Sequence, residues 1–166
     1  MTIADSLLQE LDQETQTTRR VLERVPNDKL DWRPAPRART LGQLALHIAQ
    51  VPGAVASFAT APSPVQAPTF TDPSPQSAAE LLPILEESVA KAKQLVAALD
   101  DQAITAPWTM MSGNRELFTV PRIAMLRSIM LNHWYHHRGQ LTVYLRLLGV
   151  AIPSVYGPSA DENPFA

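Results

Sequence analysis

Apolar positions recur at three- and four-residue steps through four separate stretches of the chain, and each stretch reads as an amphipathic helix. In the first, Leu7, Leu8, Leu11, Thr15, Thr18, Val21 and Leu22 share one face. They predict a helix from about Asp5 to Arg24, capped by Asp5 and stopped by Pro26 and Asn27. In the second, Thr40-Leu41-Gly42-Gln43 has the form of a capping box, and Leu44, His47, Ile48, Val51 and Val55 supply the stripe. Pro52 and Gly53 are expected to kink or end this helix, with a short continuation through Phe58. A second capping-box pattern, Ser77-Ala78-Ala79-Glu80, opens a third helix that runs to about Leu99. The fourth and longest begins near Pro121, which suits a first turn, and ends at Leu148, where Gly149 suits the stop.

The intervening segments break this period. From Thr105 to Pro121, two short runs flank Ser112-Gly113-Asn114-Arg115, the form of a small hairpin. Five prolines between Ala61 and Gln76 mark a long extended connector. The tail from Val150 to Ala166, with Pro153, Gly157, Pro158 and Pro164, reads as irregular. The pattern predicts one all-α domain over residues 1–166, a four-helix bundle with long connections. The links after the second and third helices exceed what a tight up-and-down design needs, so at least one crossover is expected.

Composition narrows the function. Hydrophobic residues make up 45% of the chain and charged residues 18%, the balance of a packed globular protein and not of a disordered one. Fourteen Lys and Arg against 16 Asp and Glu leave a net charge of -2, so no basic face is available for nucleic acid or acidic membranes. The N-terminal stretch is polar and acidic, unlike a signal peptide, and no apolar run reaches the ~20 residues that span a bilayer. A cytoplasmic location is the expectation. The chain has no cysteine, which removes disulfides, thiolate nucleophiles and Cys-ligated metals. Any transition-metal site must come from His, Asp and Glu.

Four histidines are present: His47, His133, His136 and His137. On the fourth helix the stripe Leu126, Met130, His133, His137, Leu141, Tyr144, Leu148 advances by steps of 4, 3, 4, 4, 3 and 4. His133 and His137 therefore lie one turn apart on the inward face, and His47 lies on the inward stripe of the second helix. A His pair at this spacing can put two nitrogens on one divalent ion, and a third His from a facing helix completes a three-nitrogen face. Imidazole suits Zn²⁺ or Ni²⁺, and the remaining positions would stay open to water or substrate. The spacing leaves a second reading open, in which the same three side chains are hydrogen-bonded core histidines. His136 sits about 100° round the helix from its neighbour and reads as a flanking surface residue. Trp134 and Tyr135 read as packing residues, while Arg138 and Gln140 either line the site or bond nearby.

In order along the chain, Trp32-Arg33-Pro34, Leu41-Gly42-Gln43-Leu44-Ala45-Leu46-His47-Ile48-Ala49, His133-x-x-x-His137-Arg138-Gly139-Gln140 and the tail segment from Ile152 to Glu162 resemble the DinB family, also called DinB/YfiT-like. The resemblance covers nearly the whole chain. It implies a four-helix bundle with His47, His133 and His137 around a divalent metal, and dimers formed through helix faces. It also implies activities of three kinds: thiol-dependent S-transfer with bacillithiol or mycothiol as donor, isomerisation with a similar thiol cofactor, and hydrolysis.

Two function classes follow. The first is an enzyme in which a three-His metal site activates a low-molecular-weight thiol or water against a small-molecule substrate. No general base stands out. Asp161 and Glu162 are the nearest candidates in the tail, and they read as a solvated chain end. The second class is a non-catalytic dimeric stress-response module that binds metal or a ligand. A metal-free bundle ranks last, because three buried imidazoles without partners are costly.

Overall fold

The computed structural model describes residues 1–165. In chain order its elements are α1 (Ile3–Leu22), α2 (Leu41–Thr60), β1 (Val65–Gln66), α3 (Leu81–Ala97), α4 (Asp101–Thr105), β2 (Pro107–Ser112), β3 (Arg115–Pro121), α5 (Arg122–Met125), a π-helical segment (Leu126–Asn132) and α6 (His133–Leu147). The four long helices close a ring in which α1 packs on α3, α3 on α2, α2 on α6 and α6 on α1. Helices α1 and α2, consecutive in sequence, thus sit across the bundle from each other, as do α3 and α6. The crossovers are the links after α1 and α3. The long link after α2 joins two packed neighbours.

Local chemistry sets the helix starts. Thr2, not Asp5, caps α1; Asp5 instead occupies the third helical position and returns the bond, its carboxylate accepting from the Thr2 N–H at 2.8 Å. Thr40 and Gln43 form the expected reciprocal box, at 2.9 and 3.1 Å. Ser77 opens a 3₁₀ turn over Ala78–Glu80 ahead of α3, and Glu80 accepts from Gln76, so that box does not close on Ser77.

Pro52 does not end α2, which continues to Thr60. A proline inside a helix leaves the carbonyl four residues earlier without a donor. That carbonyl belongs to Ile48, and the buried indole of Trp134 on α6 donates to it at 2.9 Å. One residue on, the Gly53 N–H donates to Ser88 Oγ of α3 at 2.8 Å, and that hydroxyl donates to the Gln50 carbonyl at 3.0 Å. Two neighbouring helices therefore meet the backbone demands around the break. Gly53 is required by this contact, because a Cβ there would lie 2.7 Å from the Ser88 carbonyl oxygen.

The hairpin forms as expected, with Gly113 at φ +57° in a two-residue turn between Ser112 and Arg115. It recruits an unforeseen third strand: β1, from the proline-rich connector, pairs parallel to β2 with Val65 opposite Met110. The expectation of a purely all-α chain is corrected accordingly. The molecule is mostly helical with a small three-stranded sheet. That sheet forms because extended, proline-spaced chain is already shaped to add a strand to the hairpin's free edge. No helix is long and apolar enough to cross a membrane among the described residues.

Candidate metal centre

Helices α2 and α6 run antiparallel side by side. Trp134 reaches Ile48 near the middle, and the Tyr144 hydroxyl donates to the Arg39 carbonyl at 3.4 Å beyond one end. Beside the Trp134 contact, His47 of α2 faces His133 and His137 of α6. Their donor nitrogens all lie within 4.8 Å of one another. His47 Nε2 and His133 Nε2 are 3.1 Å apart. The rings stand nearly perpendicular to each other, at 82°, 88° and 90°, with centroids 4.3 to 5.3 Å apart. Two nitrogens on one tetrahedral ion, each at roughly 2.0–2.1 Å, would be about 3.3 Å apart. The His47–His133 distance of 3.1 Å is close to that value, and the His137 nitrogen lies within 4.8 Å of both.

The protonation states fit as well. Burial is the main cause holding His47 and His137 down to about 4, and it lowers His133 too. The Arg39 guanidinium adds to the depression in all three, since a nearby cation disfavours imidazolium. At neutral pH the cluster presents lone pairs. His137 is also fixed in orientation: its Nδ1–H donates to Gln140 Oε1 at 2.7 Å, which leaves Nε2 free to ligate. This hydrogen bond resists the depression of the His137 pKa and does not reverse it.

His133 begins α6 directly after the π-helical segment. The expected single helix is therefore a composite, and its buried stripe is Leu126, Met130, Trp134, His137, Leu141 and Leu145. His133 falls at the edge of that stripe, half-buried at the rim of the cluster. A π-turn shifts the register of the side chains beyond it, and such turns recur at functional sites. His136 is exposed and outside the cluster, its ring only flanking His137, as the sequence indicated.

Two contacts at the rim escaped the sequence reading. Arg39 pairs with Asp72 of the connector at 2.8 Å, and Gln43 Nε2 donates to the Asp72 carbonyl at 2.9 Å. Gln43 precedes His47 by one turn and Arg39 by about two, a spacing that marks this face. Nothing local in the sequence links either to Asp72.

Arg138 does not line the cluster. It turns to the α1 side of α6, where its side chain is 1% exposed and Nη2 lies 2.6 Å from Glu14 Oε2. It also donates to Thr18 Oγ1 at 3.1 Å and to the Tyr156 hydroxyl at 2.5 Å. The Tyr135 and Tyr156 rings flank its guanidinium at 5.2 and 5.1 Å. Trp134 and Tyr135 are packing residues, as expected. Asp161 and Glu162 are not a solvated chain end. Asp161 pairs with Arg146 at 2.5 Å and Glu162 with Arg20, and these contacts tie the tail to the bundle.

The DinB family model matches residues 1–164. The uncharacterised protein YrdA of Bacillus subtilis is 26% identical over 162 residues, spanning 95% of this chain and 90% of its own. A DinB-like protein from Bacillus cereus is 27% identical, with a TM-score of 0.72 covering 93% of this chain and 98% of that one. YfiT from Bacillus subtilis, described as a probable metal-dependent hydrolase with an unusual four-helix bundle topology, is 15% identical with a TM-score of 0.67 and covers 89% of each chain. At that identity the likeness to YfiT is one of fold.

Proposed function

This chain belongs to the DinB family, and from that premise we propose that it is a metal-dependent enzyme acting on a small molecule. Its ligands are His47, His133 and His137, and its ion is Zn²⁺ or Ni²⁺. The observation that carries this reading is the convergence of three neutral, mutually perpendicular imidazoles that have no anionic partner among them. An ion held there supplies a Lewis acid for the thiol or water that serves as nucleophile, and so supports S-transfer or hydrolysis.

The chain's own residues do the rest. Gln140 holds the His137 ring with its lone pair inward. Trp134 locks α6 against α2 one residue from His133 and one from His47. Three neutral imidazoles would leave the charge of a bound ion uncompensated, while Arg39 at the rim is paired with Asp72 at 2.8 Å. The uncompensated charge favours an anionic nucleophile such as a thiolate. Among the described residues no carboxylate joins the cluster, which leaves coordination positions open for reaction partners. Exposed Val143 and Leu147, one turn apart on α6, support a homodimer through this helix face.

The test is turnover by zinc- or nickel-loaded protein, supplied with a low-molecular-weight thiol and a small electrophile, or with an activated ester alone. Metal-dependent consumption of thiol assigns S-transfer, and ester cleavage without thiol assigns hydrolysis. Either must vanish in His137→Ala. Tight metal binding with no turnover of either kind would turn the reading to a non-catalytic binding module.

A further inference from the structure

Toward the C-terminal end of α2, beyond the histidines along the same helices, lies a cavity of about 480 Å³. Its wall takes Val55 and Phe58 from α2, Met110 and Phe118 from the hairpin, Ile129 from the π segment and Phe70 from the connector. None of these carries a charge or a hydrogen-bonding side chain. The volume is that of a small-molecule site. Its position relative to the cluster follows from the helices. Ile129 precedes His133 by four residues, and Val55 follows His47 by eight, which is about 12 Å along α2. The two helices that carry the histidines therefore also carry the cavity, on the same side and one to two turns along. The connector closes the far side: its residues 67–71 line the cavity, and the next residue, Asp72, pairs with Arg39 at the rim of the cluster.

The geometry points to an amphiphilic substrate: a small molecule whose polar, ligating head reaches the three histidines while an aliphatic or aromatic tail fills this cavity. Thr69 and Thr71 of the connector bring the only hydrogen-bonding side chains to a lining that is otherwise apolar, so a polar solute finds few partners there, whereas an alkyl chain gains about fourfold in affinity for each methylene removed from water. Phe70, 84% exposed on the connector, is placed to cover such a tail. This inference rests on the metal-site reading for the head group and on the cavity alone for the tail.

The experiment separates the two. Zinc-loaded protein is titrated calorimetrically with acetohydroxamate and octanohydroxamate, which share a chelating head and differ in tail. Octanohydroxamate should bind at least about tenfold more tightly. Ala54→Trp, which projects an indole from an exposed position on the cavity wall, and Ile129→Asp, which places a charge there, should each bring that ratio toward one. Equal affinities in the unaltered protein would overturn the tail pocket while leaving the metal site standing. Metal-stripped protein gives the complementary reading, in which octanol, lacking any chelating head, should displace anilinonaphthalene sulfonate and should fail to do so in Ala54→Trp. Displacement that is absent in the unaltered protein, or the same in the variant, overturns the pocket. Failure of acetohydroxamate to bind zinc-loaded protein, with octanol displacement intact, would sink the metal-site reading alone.

Discussion

Helix α6 carries a polar cluster on each flank, and the two are built on opposite principles. Toward α1, Arg138 meets Glu14, Thr18 and Tyr156, and Tyr135 donates to Glu10 at 2.9 Å. The Arg138 and Glu14 charges are paired there, and both tyrosine hydroxyls donate to a glutamate. Burial is the main cause raising both tyrosine hydroxyls above their ordinary range, so they stay protonated and donate. Toward α2, three imidazoles crowd together with a single close nitrogen–nitrogen contact between His47 and His133 and no carboxylate. The first cluster is complete in itself. The second has one internal nitrogen–nitrogen contact and no counter-charge among the described residues. A satisfied polar network holds a fold together, while a convergent set of unshared lone pairs awaits a ligand.

The largest effect should come from breaking the satisfied side. Arg138→Met leaves the Glu14 carboxylate buried without its counter-charge, and should cost about 3–5 kcal/mol in chemical denaturation. Metal affinity, measured under folding conditions, should hardly change. Adding Glu14→Gln to that variant should restore part of the loss, because it removes the stranded charge.

The open side should answer in the reverse sense. Gln140→Leu removes the acceptor that orients His137 and should weaken zinc binding by about 10–100-fold in a competition titration, with little change in unfolding free energy. A loss of stability without a loss of affinity would show that Gln140 supports the fold and does not orient a metal ligand.

Acid sharpens the contrast further. The unfolded chain protonates its histidines below about 6.5, whereas His47 and His137 stay neutral in the fold down to about 4. Between those values the unfolded state binds more protons, so metal-free protein should lose stability as the pH falls from about 6.5 to about 4. Replacing both residues with glutamine should flatten that slope in thermal melts across the same range. Asp161 and Glu162, held below the usual carboxylate range by hydrogen bonds from Arg146 and Arg20, should contribute their own loss only at lower pH.

The smallest effect belongs to the rim. Asp72→Asn weakens an exposed pair and should cost no more than about 1 kcal/mol. It should alter the rate of zinc uptake more than the affinity, read by stopped-flow.

The three-His cluster was legible because helical periodicity alone puts His47, His133 and His137 on inward faces. The helix ends came within a few residues for the same reason, and the hairpin followed from Gly113-Asn114. What stayed hidden depends on partners distant in sequence. Pro52 reads locally as a break, and only Trp134 and Ser88, brought in from α6 and α3, let the helix continue. Periodicity left Arg138 either lining the site or bonding nearby, and only Glu14, 124 positions away, decides it. β1 has no strand signature of its own and exists because β2 offers an edge. The π segment, which moves His133 to the rim, left no mark in the apolar stripe. Arg39 and Asp72 meet only across the connector.

The most direct test is metal content by elemental mass spectrometry, on tag-free protein and on His137→Ala, after exposure to zinc and nickel. About one ion per chain, lost in the variant while its fold is retained, is the expected result. No ion in either protein would contradict the metal site and leave the three histidines as residues of the core.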